Sequence, residues 1–304
     1  MHSHITKSVL FTCYQVQGTF VKVSDSTQLE AAPVINIEHT HVGEIPLLHV
    51  VQEELNTRAI PLIIFVHGFE SAVENNLHYA YLLAKKGFRV VLPEAIYHGE
   101  RQAGLSSLEM NMHFWDIVTK TIDELKVIKE YFERENKIDI ERIGVAGTSM
   151  GGIVTLGALT QYPWIKAAVS LMGMPYYEKF SQFQLQQLDA SGVNIPISDT
   201  DKESIFAHLR KYDLSQQPEK LNGRPLLFWH GVKDPTVPYT YTYQFYESIR
   251  PLYQDIPEKL QFISDEKAEH KVSREGVLKL VDWFDTYLAS PSMIEVTTLG
   301  ERMD

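Results

Sequence analysis

The run Gly147-Thr-Ser-Met-Gly151 sets a serine between two glycines in the pattern G-x-S-x-G. A serine in this setting can serve as a nucleophile, provided something removes its proton, because a free hydroxyl is hardly ionised near neutral pH. Ile143 to Ala146 read as the end of a buried strand, and Ile153-Val-Thr-Leu-Gly-Ala-Leu159 as an apolar helix. A serine where a strand turns sharply into a helix sits in strained backbone. The flanking glycines are then required, since a Cβ there would collide with the neighbouring strand and helix. The turn lifts the Ser149 hydroxyl above the sheet edge and aims the Met150 N–H, at a helix N-terminus, toward negative charge forming beside it. A Gly-Ser-rich connection can also be no more than a turn, so the question is whether the chain supplies partners.

The base must be a histidine held by an acid, and in strand–helix sheets of this kind the chain order is serine, acid, histidine. Past the apolar run ending at His230 comes Gly231-Val-Lys-Asp234-Pro-Thr-Val-Pro238, an aspartate in a turn just beyond a strand. Past the run 259–263 comes Ser264-Asp-Glu-Lys-Ala-Glu-His270, a loop able to carry His270 back over the sheet. Both lie at strand C-termini, the edge where open parallel sheets bind ligands. Asp234 would fix the His270 tautomer, and His270 would move the Ser149 proton. Asp265, Glu266 and Glu269 are too near His270 in the chain and read as solvated. Asp213 and Asp255 lack the strand-end context, and His230 reads as a packed core histidine. The loop His67-Gly-Phe69 follows the first parallel strand, which makes the Phe69 N–H the second candidate oxyanion donor beside that of Met150, with His67 structural. Pro93-Glu-Ala-Ile-Tyr-His-Gly-Glu-Arg101 ends another strand; Glu94, His98 and Arg101 either brace this loop or meet substrate or metal, bracing being the expectation.

The segments that would hold these residues in place follow a rhythm. A hairpin opens it, with strands at 34–37 and 45–51 and a turn over 40–44 that leaves His39 and His41 on the surface. Apolar strands are expected at 61–68, 88–93, 143–146, 167–172, 225–230 and 259–263. Helices are expected at 75–86, 109–135, 152–161, 240–250 and 273–289. Continuous apolar strands alternating with amphipathic helices specify an α/β fold, a mostly parallel sheet with helices on both faces. About fifty residues between the strands at 167–172 and 225–230 exceed one crossover. This insertion, about 175–222, contains Tyr176, Tyr177, Phe180 and Phe183 and reads as a small helical cap over the pocket. Met174, Tyr176 and Tyr177, with His98, are the candidate substrate contacts.

The chain has 304 residues, a net charge of −11 and one cysteine, Cys13. The acidity argues against nucleic acid and anionic membrane as partners. No internal disulfide is possible, and neither a membrane span nor a secretory signal is evident, so a soluble cytoplasmic protein is expected. No metal and no cofactor are implied. Residues 1–33 are poorly specified: Met1-His-Ser-His4 reads as a solvated terminus and Phe20-Val-Lys-Val23 as a short edge strand. Residues 291–304 read as a tail beyond a single domain at 34–290.

Together His67-Gly-Phe69, Pro93-Glu-Ala with His98-Gly-Glu-Arg101, Gly147-Thr-Ser-Met-Gly-Gly152, His230-Gly with Asp234 and Val237-Pro238, and Glu269-His270 resemble the α/β-hydrolase superfamily. Within it the chain is similar to bacterial esterases grouped with dienelactone hydrolases and the catalytic domain of prolyl oligopeptidases. The resemblance covers roughly Val34 to Ala289 and implies the α/β-hydrolase fold and a Ser149-His270-Asp234 triad. It has two departures: serine stands where dienelactone hydrolases proper carry cysteine, and residues 1–60 do not supply the propeller of prolyl oligopeptidases. The expected activity is hydrolysis of carboxylic esters with a short acyl group through an acyl-enzyme. The alternatives are a peptidase or thioesterase with the same triad, or a pocket that only binds a ligand.

Overall fold

The computed structural model describes residues 32–190, 192 and 197–289. By contact the chain divides into residues 1–32 and 33–304, and the sheet and its helices belong to the second unit. The expectations for Met1 to His4, Cys13, residues 20–23 and the tail after 290 fall outside the described residues.

Eight strands form one sheet in the order β1-β2-β4-β3-β5-β6-β7-β8. They are β1 (Ile35–Val42), β2 (Ile45–Gln52), β3 (Ile60–Val66), β4 (Arg89–Pro93), β5 (Ile138–Thr148), β6 (Ala167–Leu171), β7 (Leu226–Gly231) and β8 (Leu260–Asp265). β2 runs antiparallel to both β1 and β4, and every other pairing is parallel. The helices are α1 (Leu77–Lys85), α2 (Ser107–Met112), α3 (Phe114–Arg134), α4 (Met150–Gln161), α5 (Tyr177–Ala190), α6 (Asp199–Leu209), α7 (Tyr239–Ile249) and α8 (Arg274–Leu288). No helix among the described residues is long and apolar enough to cross a membrane.

Alternation along β3 shows why its whole run is apolar. Leu62, Ile64 and Val66 enter the core under α3, α4 and α7, while Ile63 and Phe65 enter the one under α1 and α8. Successive side chains of a strand point to opposite faces, so a strand covered on both sides is apolar throughout unless a polar residue finds a buried partner. Helix α3 buries Phe114, Ile117, Val118, Thr121, Ile122, Leu125, Ile128 and Phe132, a stripe at steps of three and four. Helix α4 is buried from Met150 to Thr160, as expected of a helix that touches sheet, α3 and cap together.

Two local boundaries differ from the periodicity reading. The hairpin strands continue to Val42 and restart at Ile45, leaving a loop of Gly43 and Glu44 only, with Gly43 at φ 61°. Two-residue hairpin turns demand positive φ, so the glycine rather than the polar run decides where the chain reverses. The helix expected over 109–135 is two helices. Ser106 and Glu109 cap α2 reciprocally, and His113 at φ −88°, ψ 4° ends it before Phe114 starts α3. The apolar spacing runs on across this break, so periodicity cannot register it.

The amino-terminal edge of the sheet is closed by a cation without a carboxylate. Arg89, fully buried at the start of β4, donates from Nε to the Lys137 carbonyl (3.0 Å) and from Nη2 to those of Leu55, Asn56 and Arg58 (3.3, 2.9 and 3.2 Å). Its Nη1 meets His49 Nε2. Burial, and then the Arg89 charge, lower the His49 pKa to about 3, so the imidazole is neutral and accepts. Replacing Arg89 by methionine removes four hydrogen bonds to part-buried carbonyls, each contributing ~0.5–1.5 kcal/mol net. The expected result is a loss of ~3 kcal/mol in unfolding free energy, read as a lower urea midpoint, with turnover unchanged in the folded fraction. A midpoint within error of wild type would contradict this account.

Candidate active site

The carboxyl ends of β3, β5, β7 and β8 share one edge of the sheet, and the loops leaving them form the site. At the end of β5, Ser149 adopts φ 53°, ψ −114°, outside the allowed regions for an L-residue. Such backbone costs roughly 1–3 kcal/mol and persists only when its surroundings over-determine it. Here the Ser149 N–H donates to the Leu171 carbonyl (2.9 Å) and its carbonyl accepts from Ile153 N–H (3.0 Å). Glycine is obligatory on both sides: a Cβ on Gly147 would overlap Gly151 backbone, and one on Gly151 would overlap the Val66 carbonyl.

Asp234 and His270 reach Ser149 because the loops after β7 and β8 are stitched together. Val232 N–H donates to the Asp265 carbonyl (2.9 Å) and Lys233 N–H to that of Ala268 (3.1 Å). Gly231 permits the approach, since a Cβ there would run into the carbonyls of Ala268 and Glu269. Asp265 is more than a solvated residue: its Oδ1 accepts the N–H groups of Lys267 and Ala268 (both 3.1 Å) and shapes the turn before His270.

The three side chains meet. His270 Nε2 lies 2.8 Å from Ser149 Oγ, and His270 Nδ1 lies 2.7 Å from Asp234 Oδ2. The carboxylate only accepts, so Nδ1 carries the proton and Nε2 presents a lone pair to the hydroxyl. Asp234 Oδ1 accepts from the N–H groups of Thr236 and Val237 (2.8 and 2.9 Å). Burial alone would raise the Asp234 pKa, but hydrogen bonds from His230, His270 and Val237 N–H outweigh it and hold the carboxyl well below the usual range. The arrangement can pass a proton from hydroxyl to imidazole while a fixed negative charge stabilises the imidazolium.

His230 is a partner that the sequence reading missed. It is fully buried, its Nε2 lies 3.3 Å from Asp234 Oδ2 and donates to the Val237 carbonyl at 2.9 Å. The i, i+4 spacing from His230 to Asp234 is visible in the sequence, but only the turn after β7 brings the two together.

A cleft of about 370 Å³ opens beside Ser149, lined by Phe69, Phe114, Ile153, Phe180, Phe183 and Val237, with Asn111, Gln184, Gln187 and Thr236 among its polar members. Its roof is α5 of the cap. The candidate substrate contacts fall elsewhere and need correction. Met174 and Tyr177 are fully buried, and the Tyr177 hydroxyl donates to the Ile153 carbonyl (2.6 Å). Tyr176 borders a separate groove, with Lys179 Nζ 4.5 Å above its ring. These residues precede or begin α5, whereas the face of that helix over the cleft starts at Phe180. Both His98 nitrogens are engaged by backbone, Nδ1 with the Ile96 carbonyl and Nε2 with Glu70 N–H (both 2.9 Å). Arg101 donates to the Glu94 carbonyl and grips Glu124 with two bonds of 2.8 and 2.9 Å, so this loop is braced by its own ionisable groups. Asp213 is buried away from the cleft, accepting from the N–H groups of Glu178 and Ser215 (3.2 and 3.0 Å).

Residues 75–291 match the Prolyl oligopeptidase family. The chain is 55% identical over 255 residues to "Putative esterase YitV" of Bacillus subtilis, covering 84% of this chain and 100% of that one. It is 30% identical over 205 residues to "Esterase YjfP" of Escherichia coli, covering 67% of this chain and 81% of that one. Among solved structures, TT1662 from Thermus thermophilus superposes with a TM-score of 0.67 at 19% identity, covering 85% of this chain and 100% of that one. An acylaminoacyl peptidase of Pyrococcus horikoshii gives 0.63 at 22% identity, covering 86% of this chain and 43% of that one. These two likenesses bear on the fold, which is that of the α/β-hydrolases, and the relatives bear on the chemistry. The chain belongs to the prolyl oligopeptidase family and is an enzyme, a serine hydrolase.

Proposed function

We propose that Ser149, His270 and Asp234 are the catalytic triad of an esterase for small, uncharged carboxylic esters. The observation that carries this reading is the pair of hydrogen bonds through His270, 2.8 and 2.7 Å, opening on an apolar cleft. His270 Nε2 takes the Ser149 proton as Oγ bonds to the acyl carbon, and the carbonyl electrons move onto oxygen. The N–H groups of Phe69 and Met150 hold that oxyanion. Met150 opens α4, where a first-turn N–H has no helical carbonyl to bind, and neither group has a protein acceptor among the described residues. Collapse of the intermediate breaks the bond to the alcohol, whose oxygen receives the proton from His270. Water then gives a proton to the same nitrogen and attacks the acyl-enzyme; the second collapse frees the carboxylic acid and returns the proton to Ser149 Oγ.

Cleft size and lining support the substrate class. About 370 Å³ lies at the small end of the ~300–1,000 Å³ usual for ligand sites, which favours a short acyl group. Among the described residues none lining it is charged, so none of them would pair with a peptide terminus or an acidic side chain. The names of two relatives as esterases support ester over amide as the scissile bond.

Ser149→Ala should lower turnover of p-nitrophenyl butyrate ~10⁴-fold or more, and activity equal to wild type would refute the nucleophile. Among p-nitrophenyl esters of rising acyl length, wild type should favour the short ones. Phe183→Ala, which opens the α5 side of the cleft, should move the optimum to longer chains, and an unmoved profile would take α5 out of the acyl site. Acid stability follows from Asp234. Its folded pKa is depressed, so its contribution is complete above the unfolded value of about 3.9 and is lost as pH falls from there toward the folded value. Asp234→Asn should melt below wild type at pH 7, and the gap should shrink below about pH 4. A gap that stays constant in acid would contradict the shift.

A further inference from the structure

The Gly68–Phe69 peptide, which supplies one oxyanion donor if Ser149 is the nucleophile of an esterase, is held in orientation by two buried imidazoles. We propose that His67 and His98 are positioning residues for the Phe69 N–H. Gly68 itself stands against the nucleophile, since a Cβ built on it would lie 3.6 Å from Ser149 Cβ. The Gly68 carbonyl and the Phe69 N–H belong to one peptide plane, and in a trans peptide they point in opposite directions. Whatever fixes the carbonyl therefore fixes the direction of the N–H and opposes a flip that would turn carbonyl oxygen toward the developing oxyanion.

His67 Nδ1 lies 2.8 Å from that carbonyl oxygen, and His67 is buried. A carbonyl only accepts, so Nδ1 is protonated. This holds whichever neighbour Nε2 serves, the Ala95 N–H at 3.1 Å or the Glu94 carboxyl at 3.0 Å. The hydrogen bond from the Ala95 N–H anchors the back of the ring. On the far side of Phe69, Glu70 takes φ 56°, and its N–H donates to His98 Nε2 at 2.9 Å. His98 Nδ1 donates in turn to the Ile96 carbonyl, so its accepting nitrogen is Nε2. Burial lowers the His98 pKa and keeps the ring neutral, as an acceptor must be. The ring centroids stand 5.0 Å apart, and both rings are fastened to the segment after β4. One imidazole thus holds the carbonyl before Phe69 and the other holds the N–H after it, which fixes the orientation of the Phe69 N–H between them.

The two roles differ in the atom used, and amide side chains separate them. An asparagine amide nitrogen can stand near the imidazole Nδ1 position, and a glutamine amide oxygen near the Nε2 position. His67 acts as a donor through Nδ1, so His67→Asn should keep kcat within about tenfold of wild type while His67→Gln loses ~10²–10³-fold, the usual worth of one oxyanion donor. His98 acts as an acceptor through Nε2, so the order reverses: His98→Gln should retain kcat and His98→Asn should lose it. KM for p-nitrophenyl butyrate should change less than about threefold in all four, because the donor acts on the transition state rather than on the bound ester. Melting temperatures establish which variants are folded at the assay temperature, and each position provides its own pair should the other fail to fold. Opposite ranking of the two amides at the two positions supports the proposal. The same ranking at both, or kcat within threefold of wild type in folded His67→Gln and His98→Asn, overturns it. An active Ser149→Ala enzyme would instead remove the catalytic reading on which the proposal rests, so the two failures are told apart.

Discussion

The site depends on a crowded crossing of backbones beneath Ser149. The chain leaves β5 at φ 53°, ψ −114° and enters α4 within one residue, close enough to Val66 that Gly147 and Gly151 admit no side chain. Strain of this kind is held by neighbours that cannot relax: the Leu171 carbonyl on one side, the first turn of α4 on the other, and a helix buried almost all round. Its chemical return is a hydroxyl raised above the sheet with a free helix N-terminus behind it.

Around that fixed point the loops are held to one another rather than left to packing alone. Those after β7 and β8 exchange backbone hydrogen bonds, and Asp234 is gripped by two N–H groups and two imidazoles. The loops after β3 and β4 are joined through His67 and His98. Hydrogen bonds between buried polar groups rigidify a structure, and those made by Asp234, His67 and His98 hold these loops in that way. The opposite edge of the sheet has no such task. There Arg89 donates to carbonyls of two segments, the loop 55–58 and Lys137, and closes the base of the fold.

The cleft beside Ser149 is lined by a different layer. The cap helix α5 contributes Phe180, Phe183, Gln184 and Gln187 to the cleft, while α3 gives Phe114 and the loop after β3 gives Phe69. None of these residues takes part in the hydrogen bonds that join Ser149, His270 and Asp234. Changes of the cap can therefore re-shape the cleft without moving Ser149.

The layer architecture, the succession of strands and helices, and the positions of Ser149, Asp234 and His270 at three strand ends are all legible in the amino-acid order. These are local signals: apolar runs at the strand period, a glycine-flanked serine at a strand–helix junction, and polar loops beginning where apolar runs stop. Which surfaces meet is settled only by folding. Nothing near His230 in the chain says that its Nε2 turns to Asp234, and the break at His113 is invisible because the apolar spacing continues through it. Met174, Tyr176 and Tyr177 look like pocket residues because they open the insertion, yet the helix that follows turns a later face, from Phe180 onward, to the cleft. The zip between the loops after β7 and β8 likewise joins residues more than thirty apart in the chain. Local propensity fixes what each segment is; the direction in which a side chain points depends on the rotation and packing of whole elements, and that is a property of the folded sheet.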